Sequence, residues 1–298
     1  MRRTICIFLL IPILLLSACT IGSGGSNIDE PEPTKADTNG TSTKSAPTDT
    51  SPTVTGNPAL PSQSERQIRS FLIPEGYTFW QIAQKLEKEG ICIAKEFFIT
   101  AENYDVISFS VPKDEDAAYR YEGYLFPDTY EFYTGEDPVD VLRKMLNNYA
   151  AKSGMPDRKT LILASMIERE VRSDEQMALV SSVFHNRIND KSQKLRLESD
   201  PTIHYVEQNI VQKGTLIKNP DRFRTLYNTY RKDDFNSKLA PLPAGPICNP
   251  GIRAINAAKN PAKSNYFFFF FSADNENHYS ETYEEHQEKA ELYGVGNY

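Results

Sequence analysis

The stretch Thr160–Val171 reads Thr-Leu-Ile-Leu-Ala-Ser-Met-Ile-Glu-Arg-Glu-Val, with seven apolar or small residues followed at once by two carboxylates. A run this apolar predicts a buried helix instead of a surface helix. Glu168 lies one turn after Ala164 and two turns after Leu161, so one stripe of the helix carries all three. Glu170 points to the other side. Periodicity leaves two interpretations open: both glutamates mark where the helix reaches solvent, or one of them is catalytic.

The composition indicates a globular core diluted by a polar segment. The chain has 298 residues and 39% hydrophobic content, and its mean hydropathy of −0.51 is low for a compact enzyme of this size. The formal net charge of −7 gives no electrostatic support for nucleic-acid binding. The four histidines lack ligand-like spacing, so the sequence predicts no metal site and no cofactor.

The first 18 residues have the pattern of an export signal. Arg2 and Arg3 precede a short apolar run, and Leu-Ser-Ala-Cys follows at the cleavage position. This ending resembles a bacterial lipoprotein signal, in which Cys19 becomes the lipidated first residue of the mature chain. The acyl chains would then hold the protein on the extracytoplasmic face of the cell membrane. The alternative is ordinary cleavage after Ala18, which would leave Cys19 as a free thiol.

Residues 19–66 predict a disordered stalk. They are rich in Ser, Thr, Pro, Gly and Asn and contain almost no aromatic residue, so they cannot bury a core. Beyond the stalk only Cys92 and Cys248 remain, and we interpret them as two buried thiols because nothing in their surroundings demands a disulfide.

Residues 67–118 predict a small strand–helix–helix unit. Ile68–Ile73 is typical of a strand, and Thr78-Phe79-Trp80-Gln81 matches a capping box that starts a helix. A second helix is predicted near Lys95. The unit resembles a LysM-like subdomain, a module associated with amino-sugar polymers. The alternative is a packing subdomain without affinity for glycans.

Further patterns follow along the rest of the chain. The aromatic stretch Glu122–Phe132 could form a hairpin or the floor of a sugar groove. Pro138–Tyr149 predicts an amphipathic helix, and a capping pattern at Ser173 predicts the next one. The aromatic run Tyr266–Phe271 predicts a strand that is buried on both faces.

Six ordered motifs carry a resemblance to one family. They are Glu122–Tyr130, Ala164–Glu170, Val183–Arg187, Leu195–Tyr205, Tyr227–Tyr230 and Ala244–Gly251. Together they resemble the endolytic murein transglycosylases (YceG-like), here in a lipoprotein form. The resemblance implies an α+β fold, in which the LysM-like strand–helix–helix subdomain is followed by a mixed α/β catalytic domain at 119–298.

The resemblance also implies a reaction. The family cleaves nascent peptidoglycan strands between N-acetylmuramic acid and N-acetylglucosamine and leaves 1,6-anhydromuramoyl ends, which implies a role in terminating strand elongation during cell wall assembly. Carried over by motif, Glu168 is the catalytic residue, acting first as general acid and then as base. The other residues predicted to line the substrate groove are Asn186, Asp200, Tyr227, Asn228 and Tyr230.

Two other functions stay open. A muramidase-type hydrolase would use Glu168 with Asp200, because ordinary glycosidases need a second carboxylate. The alternative for Asp200 is a structural role that caps or braces its Ser-Asp-Pro turn, because aspartate in such turns usually bonds local backbone. A lipoprotein could also bind peptidoglycan without cleaving it. Family members usually carry a transmembrane helix where this chain has a lipoprotein signal, so any coupling to the cell wall synthesis machinery is an expectation from the resemblance alone.

Overall fold

The computed structural model describes residues 66–190, 195–212, 217–231, 242–273 and 276–295. The predicted signal peptide, Cys19 and nearly all of the predicted stalk lie outside these ranges. Among the described residues, no helix combines the length and the apolarity needed to cross a bilayer.

The described chain has an α+β architecture, as the sequence predicts, with helices packed beside two small antiparallel sheets. In chain order the elements are β1 (Ile68–Leu72), α1 (Phe79–Lys88), α2 (Ala94–Asn103), β2 (Thr129–Tyr133), α3 (Pro138–Lys152), α4 (Arg158–Glu170), α5 (Asp174–Asn189), α6 (Asp200–Val206), α7 (Phe223–Leu226), α8 (Ile252–Lys259), β3 (Phe268–Phe271), β4 (Asn277–Ser280) and α9 (Tyr283–Leu292). A π-helical turn at Glu207–Val211 extends α6, and a 3₁₀ turn at Pro220–Arg222 precedes α7.

Helix α1 begins as its sequence predicts. The Thr78 hydroxyl accepts a hydrogen bond from the backbone N–H of Gln81, and the Gln81 side chain accepts one from the backbone N–H of Thr78. This reciprocal pair satisfies two N–H groups that have no partner inside the helix. The predicted apolar stripe is buried: Phe79, Ile82, Ala83 and Leu86. The strand–helix–helix order is therefore present, while its likeness to a LysM module stays a prediction.

The partner of β1 lies outside the predicted subdomain. Strand β1 pairs antiparallel with β2, with Ile68 opposite Tyr133, so the sheet crosses the boundary predicted after residue 118. The aromatic stretch at 122–128 forms turns and bends and only its end is a strand, so it is not a hairpin. A single hydrophobic cluster runs from Phe71 to Ala258, and separate cores do not mark that boundary.

Strand β3 differs from its prediction. Phe268–Phe271 pairs with β4 in a two-stranded sheet, and its side chains alternate between buried and more exposed positions. The aromatic run is therefore not buried on both faces. Successive side chains of a strand point to opposite faces of the sheet, and here the face that carries Phe268 and Phe270 is the buried one.

Helix α4 lies in the middle of the core. Every residue from Leu161 to Glu168 is buried, which matches the prediction from the apolar run. The helix packs against α8 and α5. Its cap is Asp157, whose side chain accepts a hydrogen bond from the N–H of Thr160.

A buried carboxyl joins α1 to the rest of the core. Glu122 is 1% exposed and accepts hydrogen bonds from the Phe79 N–H at 2.8 Å, the Asn249 amide at 3.0 Å and the Tyr205 hydroxyl at 3.0 Å. Burial raises the pKa of Glu122 to about 8, even though the bonds from Phe79 and Tyr205 lower it. Because of the raised pKa, Glu122 is protonated in most molecules at neutral pH.

This raised pKa links stability to pH. The Glu122 contribution is fully present below the unfolded pKa near 4.5 and is lost as pH rises through about 8, because only the unfolded chain ionises freely in that window. Glu122→Gln should remove this dependence, since an amide can accept from Phe79 and Asn249 and donate to Tyr205. We expect the free energy of unfolding in urea to fall, between pH 5 and pH 8, by a few kcal/mol more in the parent than in Glu122→Gln.

Glu122→Leu is the matched control, because it leaves all three donors without an acceptor and should destabilise the protein at both pH values. If the free energies of unfolding of the parent and of Glu122→Gln varied with pH in parallel, the pH dependence would not come from Glu122.

Candidate active site

Two carboxyls end α4, and they face different surroundings. Glu168 contacts the loop that precedes α8, whereas Glu170 contacts the turn that precedes α6. Positions two residues apart on a helix lie on nearly opposite faces, so this separation follows from the helical period.

Glu168 is enclosed. The residue is only 1% exposed, and Oε2 of Glu168 accepts a hydrogen bond from the Gly251 N–H at 3.0 Å. Burial raises the pKa of Glu168 to about 7; the Gly251 bond acts in the opposite direction and the nearby Glu75 carboxylate adds to the rise. Arg253 and Arg172 also favour the charged form.

Gly251 shows how tightly this corner is filled. A Cβ built on Gly251 would lie 1.8 Å from Glu75 Oε1, so the carboxyl of Glu75 occupies the space of a side chain. Glu75 Oε2 is held at 2.8 Å by Arg253, which also pairs with Asp174 at 3.1 Å. The loop at 74–76 therefore covers Glu168. We interpret the Glu168 carboxyl as an anchor for the backbone of Gly251.

Glu170 is partly exposed. Its Oε1 accepts a hydrogen bond of 2.6 Å from the Ser199 hydroxyl. Burial raises the pKa of Glu170 to about 7, against the lowering effect of the Ser199 bond, and the charge of Asp200 contributes to the rise. A partly exposed carboxyl with a pKa near neutrality can both donate and accept a proton at physiological pH.

Three of the predicted groove residues gather on this side of α4. Asp200 begins α6 and accepts a hydrogen bond of 2.7 Å from the hydroxyl of Tyr230, whose ring is 41% exposed. The Asn228 side chain accepts from the Tyr230 N–H at 2.8 Å and so shapes the turn that presents this ring. The exposed tyrosine beside a carboxylate offers a flat apolar surface and polar atoms to one ligand.

The other two predicted residues have packing positions. The Asn186 amide donates to the carbonyls of Ser264 and Tyr266, at 3.0 and 2.8 Å, and holds the segment before β3 against α5. Tyr227 is 1% exposed, and its hydroxyl accepts from the Ala118 N–H at 3.1 Å. The structure therefore places Tyr227 in the core instead of on the surface of a groove, because its ring fills apolar space and its hydroxyl is already paired.

Two residues near Glu170 were not predicted as site residues. Ser199 is 1% exposed and bonds directly to the carboxyl. Arg187 is 7% exposed, and its guanidinium donates to the carbonyls of Phe267, Arg196 and Leu197. Both residues belong to motifs that the sequence showed, but only the folded contacts reveal that Arg187 holds the segment leading into Ser199.

This arrangement suits acid–base chemistry. It combines a carboxyl of raised pKa, a hydroxyl that donates to it, a second carboxylate and an exposed aromatic ring: Glu170, Ser199, Asp200 and Tyr230. Within the described ranges, no three His, Cys, Asp or Glu side chains come together in a set that could hold a metal ion. The two cysteines there, Cys92 and Cys248, are buried and unpaired.

Comparison with known proteins gives consistent matches. Two relatives carry the name endolytic murein transglycosylase, and each is 31% identical to this chain over 234 residues. The match to the protein of Bacillus subtilis (strain 168) covers 73% of this chain and 59% of the relative. The match to that of Streptococcus pneumoniae serotype 2 covers 69% of this chain and 41% of the relative. The chain thus spans less than two thirds of the length of these relatives.

The fold has a solved counterpart as well. The crystal structure of a yceG-like protein from Listeria monocytogenes superposes with a TM-score of 0.57 at 27% identity, covering 74% of this chain and 75% of that one. The YceG-like family matches residues 52–292, which is most of the chain. The protein therefore belongs to the YceG-like family.

Proposed function

We propose that this protein is a peptidoglycan lytic transglycosylase that cleaves glycan strands from within. The observation that carries the proposal is the partly exposed Glu170, with its pKa raised to about 7, beside Asp200 and the exposed ring of Tyr230. The names of the two relatives support the same substrate and reaction.

The proposed reaction uses one carboxyl twice. Protonated Glu170 donates its proton to the glycosidic oxygen as the bond from that oxygen to the muramoyl anomeric carbon breaks. The resulting Glu170 carboxylate then takes the proton from the muramoyl 6-hydroxyl. At the same time the oxygen of that hydroxyl bonds to the anomeric carbon. Glu170 returns to its protonated form, and no water is consumed. The product is an anhydro ring, and the positive charge that develops on the sugar is favoured by the nearby Asp200 carboxylate.

Glu170 takes the catalytic role that the family resemblance implies for Glu168. Glu168 has the same direction of pKa shift, but it is 1% exposed and its carboxyl is engaged with Gly251 under the loop that carries Glu75. A general acid must come within hydrogen-bond distance of the leaving oxygen, which a covered carboxyl cannot do without rearrangement. The surroundings of Glu170 meet that requirement better.

A pair of isosteric variants separates the two carboxyls. Glu170→Gln keeps an acceptor for Ser199 but carries no transferable proton, so we expect cleavage of purified glycan strands to fall by about 10²–10⁴-fold. Glu168→Gln keeps an acceptor for the Gly251 N–H and should retain most of the parent activity. The measurement is mass spectrometry of the released fragments.

The opposite ranking, with Glu168→Gln inactive and Glu170→Gln active, would return the chemistry to Glu168. Fragments with only reducing ends would establish a hydrolase, a class that the second carboxylate at Asp200 also suits. Binding to strands without any cleavage by the parent would establish a non-enzymatic peptidoglycan-binding protein.

The rate should also depend on pH in a defined direction. The first step needs protonated Glu170, whose pKa is about 7, so activity should fall as pH rises through neutrality. The carboxyl of Glu168 titrates in the same range and could mimic this behaviour. The pH profile should therefore be recorded in the Glu168→Gln background, where we expect the alkaline decline to persist; its loss there would assign the decline to Glu168.

We also propose that Cys19 is lipidated and that residues 19–66 hold the enzyme at a distance from the extracytoplasmic face of the membrane, near the machinery that builds the wall. The support is the order of basic, apolar and small residues that ends in Leu-Ser-Ala-Cys. In a bacterial host, a clickable fatty-acid analogue should label the parent protein in the membrane fraction, whereas Cys19→Ser should remain unlabelled. A processed parent without label would indicate ordinary cleavage after Ala18.

A further inference from the structure

Ser199 uses its hydroxyl in an unusual way for its position. It is the residue immediately before α6, where a serine normally caps the helix by accepting from a backbone N–H in the first turn. Here the side chain makes no capping bond, and the hydroxyl donates instead to Oε1 of Glu170 at 2.6 Å. The helix loses a cap that is worth about 1 kcal/mol in other proteins.

The backbone of Ser199 is fixed by two buried threonines. The Ser199 N–H donates to Thr229 Oγ1 at 2.9 Å, and the Thr202 hydroxyl donates to the Ser199 carbonyl at 2.7 Å. The two threonine hydroxyls lie 3.2 Å apart. Because all three residues are at most 5% exposed, water does not compete for these bonds, and the direction of the Ser199 side chain is strongly determined.

The residue before Ser199 adds a strained turn. Glu198 has a φ of +50°, a left-handed conformation that costs a residue with a side chain about 1 kcal/mol or more. Its N–H donates to the Thr229 carbonyl at 3.2 Å, and its carbonyl lies 3.1 Å from the Tyr230 hydroxyl, whose one proton it shares with Asp200. Contacts from the 229–230 segment therefore hold the turn that aims Ser199 at Glu170.

We propose that Ser199 is a positioning residue for Glu170: by holding Oε1, it leaves Oε2 as the oxygen that exchanges a proton with the substrate. This inference rests on the proposed function and deepens it. Arg187 belongs to the same arrangement, because its guanidinium holds the carbonyls of Arg196 and Leu197 in the segment that enters the turn.

The bond also serves a carboxyl that must act as acid and then as base. A hydroxyl binds a carboxylate more strongly than a neutral carboxyl, so Ser199 stabilises Glu170 after it has given up its proton. The charged groups facing Glu170 act in both directions. Arg187 from α5 also favours the carboxylate, whereas Asp200 from α6, like burial, favours the acid. Among the described residues Tyr230 also interacts with Glu170, and burial raises its pKa, so it stays neutral.

Three variants test the proposal. Ser199→Ala removes the bond to Glu170, and Ser199→Thr keeps a hydroxyl at the same place. Ser181→Ala is the matched control, because Ser181 is equally buried and donates one hydrogen bond, to the Ala257 carbonyl at 2.7 Å, away from the site. Each is compared with the parent for kcat, KM and the pH profile of glycan cleavage.

We expect Ser199→Ala to lower kcat by roughly 10- to 100-fold, the effect of one hydrogen bond to a charged group, with little change in KM because Ser199 does not reach the substrate. The alkaline decline should move up by about one pH unit, since the carboxylate of Glu170 loses its donor. Ser199→Thr should restore both values, and Ser181→Ala should keep both. A normal pH profile in Ser199→Ala would overturn the proposal, as would a failure of Ser199→Thr to restore it.

A second readout does not depend on activity. In protein labelled with ¹³C at glutamate carboxyls, NMR titration gives the pKa of Glu170, assigned by the signal that Glu170→Gln loses. We expect this pKa to rise in Ser199→Ala and to return in Ser199→Thr; an unchanged value would refute the bond. If the parent cleaves no glycan, the proposed function fails, while this titration still decides whether the Ser199 hydroxyl bonds to Glu170 and lowers its pKa. If Ser199→Ala does not fold, Ser199→Cys replaces it, because a thiol is a weak donor of similar shape and should shift the pKa the same way.

Discussion

The attachment of one rigid loop to helix α4 is the constraint on which the rest of the structure depends. The loop at 242–251 bonds to α4 at two turns: the Ile247 N–H donates to the Ser165 hydroxyl at 3.0 Å, and the Gly251 N–H donates to Glu168 at 3.0 Å. Between them, Asn249 bonds the Leu125 N–H, the Tyr77 carbonyl and the Glu122 carboxyl. The loop thus joins α4 to the chain at 74–78 and at 122–125, and it fixes the surroundings of Glu168.

The two glutamates of α4 show why a raised pKa does not identify a catalytic residue. Burial raises the pKa of each to about 7, so electrostatics alone cannot distinguish them. Access does. Glu168 is covered and bonds to backbone that belongs to the scaffold, whereas Glu170 is partly exposed and bonds to a serine held in a strained turn. The same helix therefore carries one carboxyl bound to the backbone of the scaffold and one, partly exposed, that we propose as the acid–base.

Local signals were good guides where the interaction they describe is local. The capping box at Thr78 and the apolar stripe of α1 depend on residues three and four positions apart, and both are confirmed. Features that depend on residues far apart in the chain were not predicted, or were predicted wrongly. The partner of β1 is β2, more than 50 residues along the chain, and in Phe268–Phe271 the buried positions alternate with more exposed ones. A short aromatic run does not contain the elements that pack on its two faces, and those elements decide which face is buried.

The sequence by itself determined the family motifs, the buried character of α4, the starts of the helices capped by Thr78 and Ser173, and the presence of two glutamates where α4 ends. Each of these depends on neighbouring residues and their period. Only the tertiary structure decided which face of α4 meets the loop ending in Gly251 and which meets Ser199. The period of a helix states that Glu168 and Glu170 point apart, but not what lies on either side. That depends on chain segments 30 to 90 residues away, which pack against α4 only once the fold is complete.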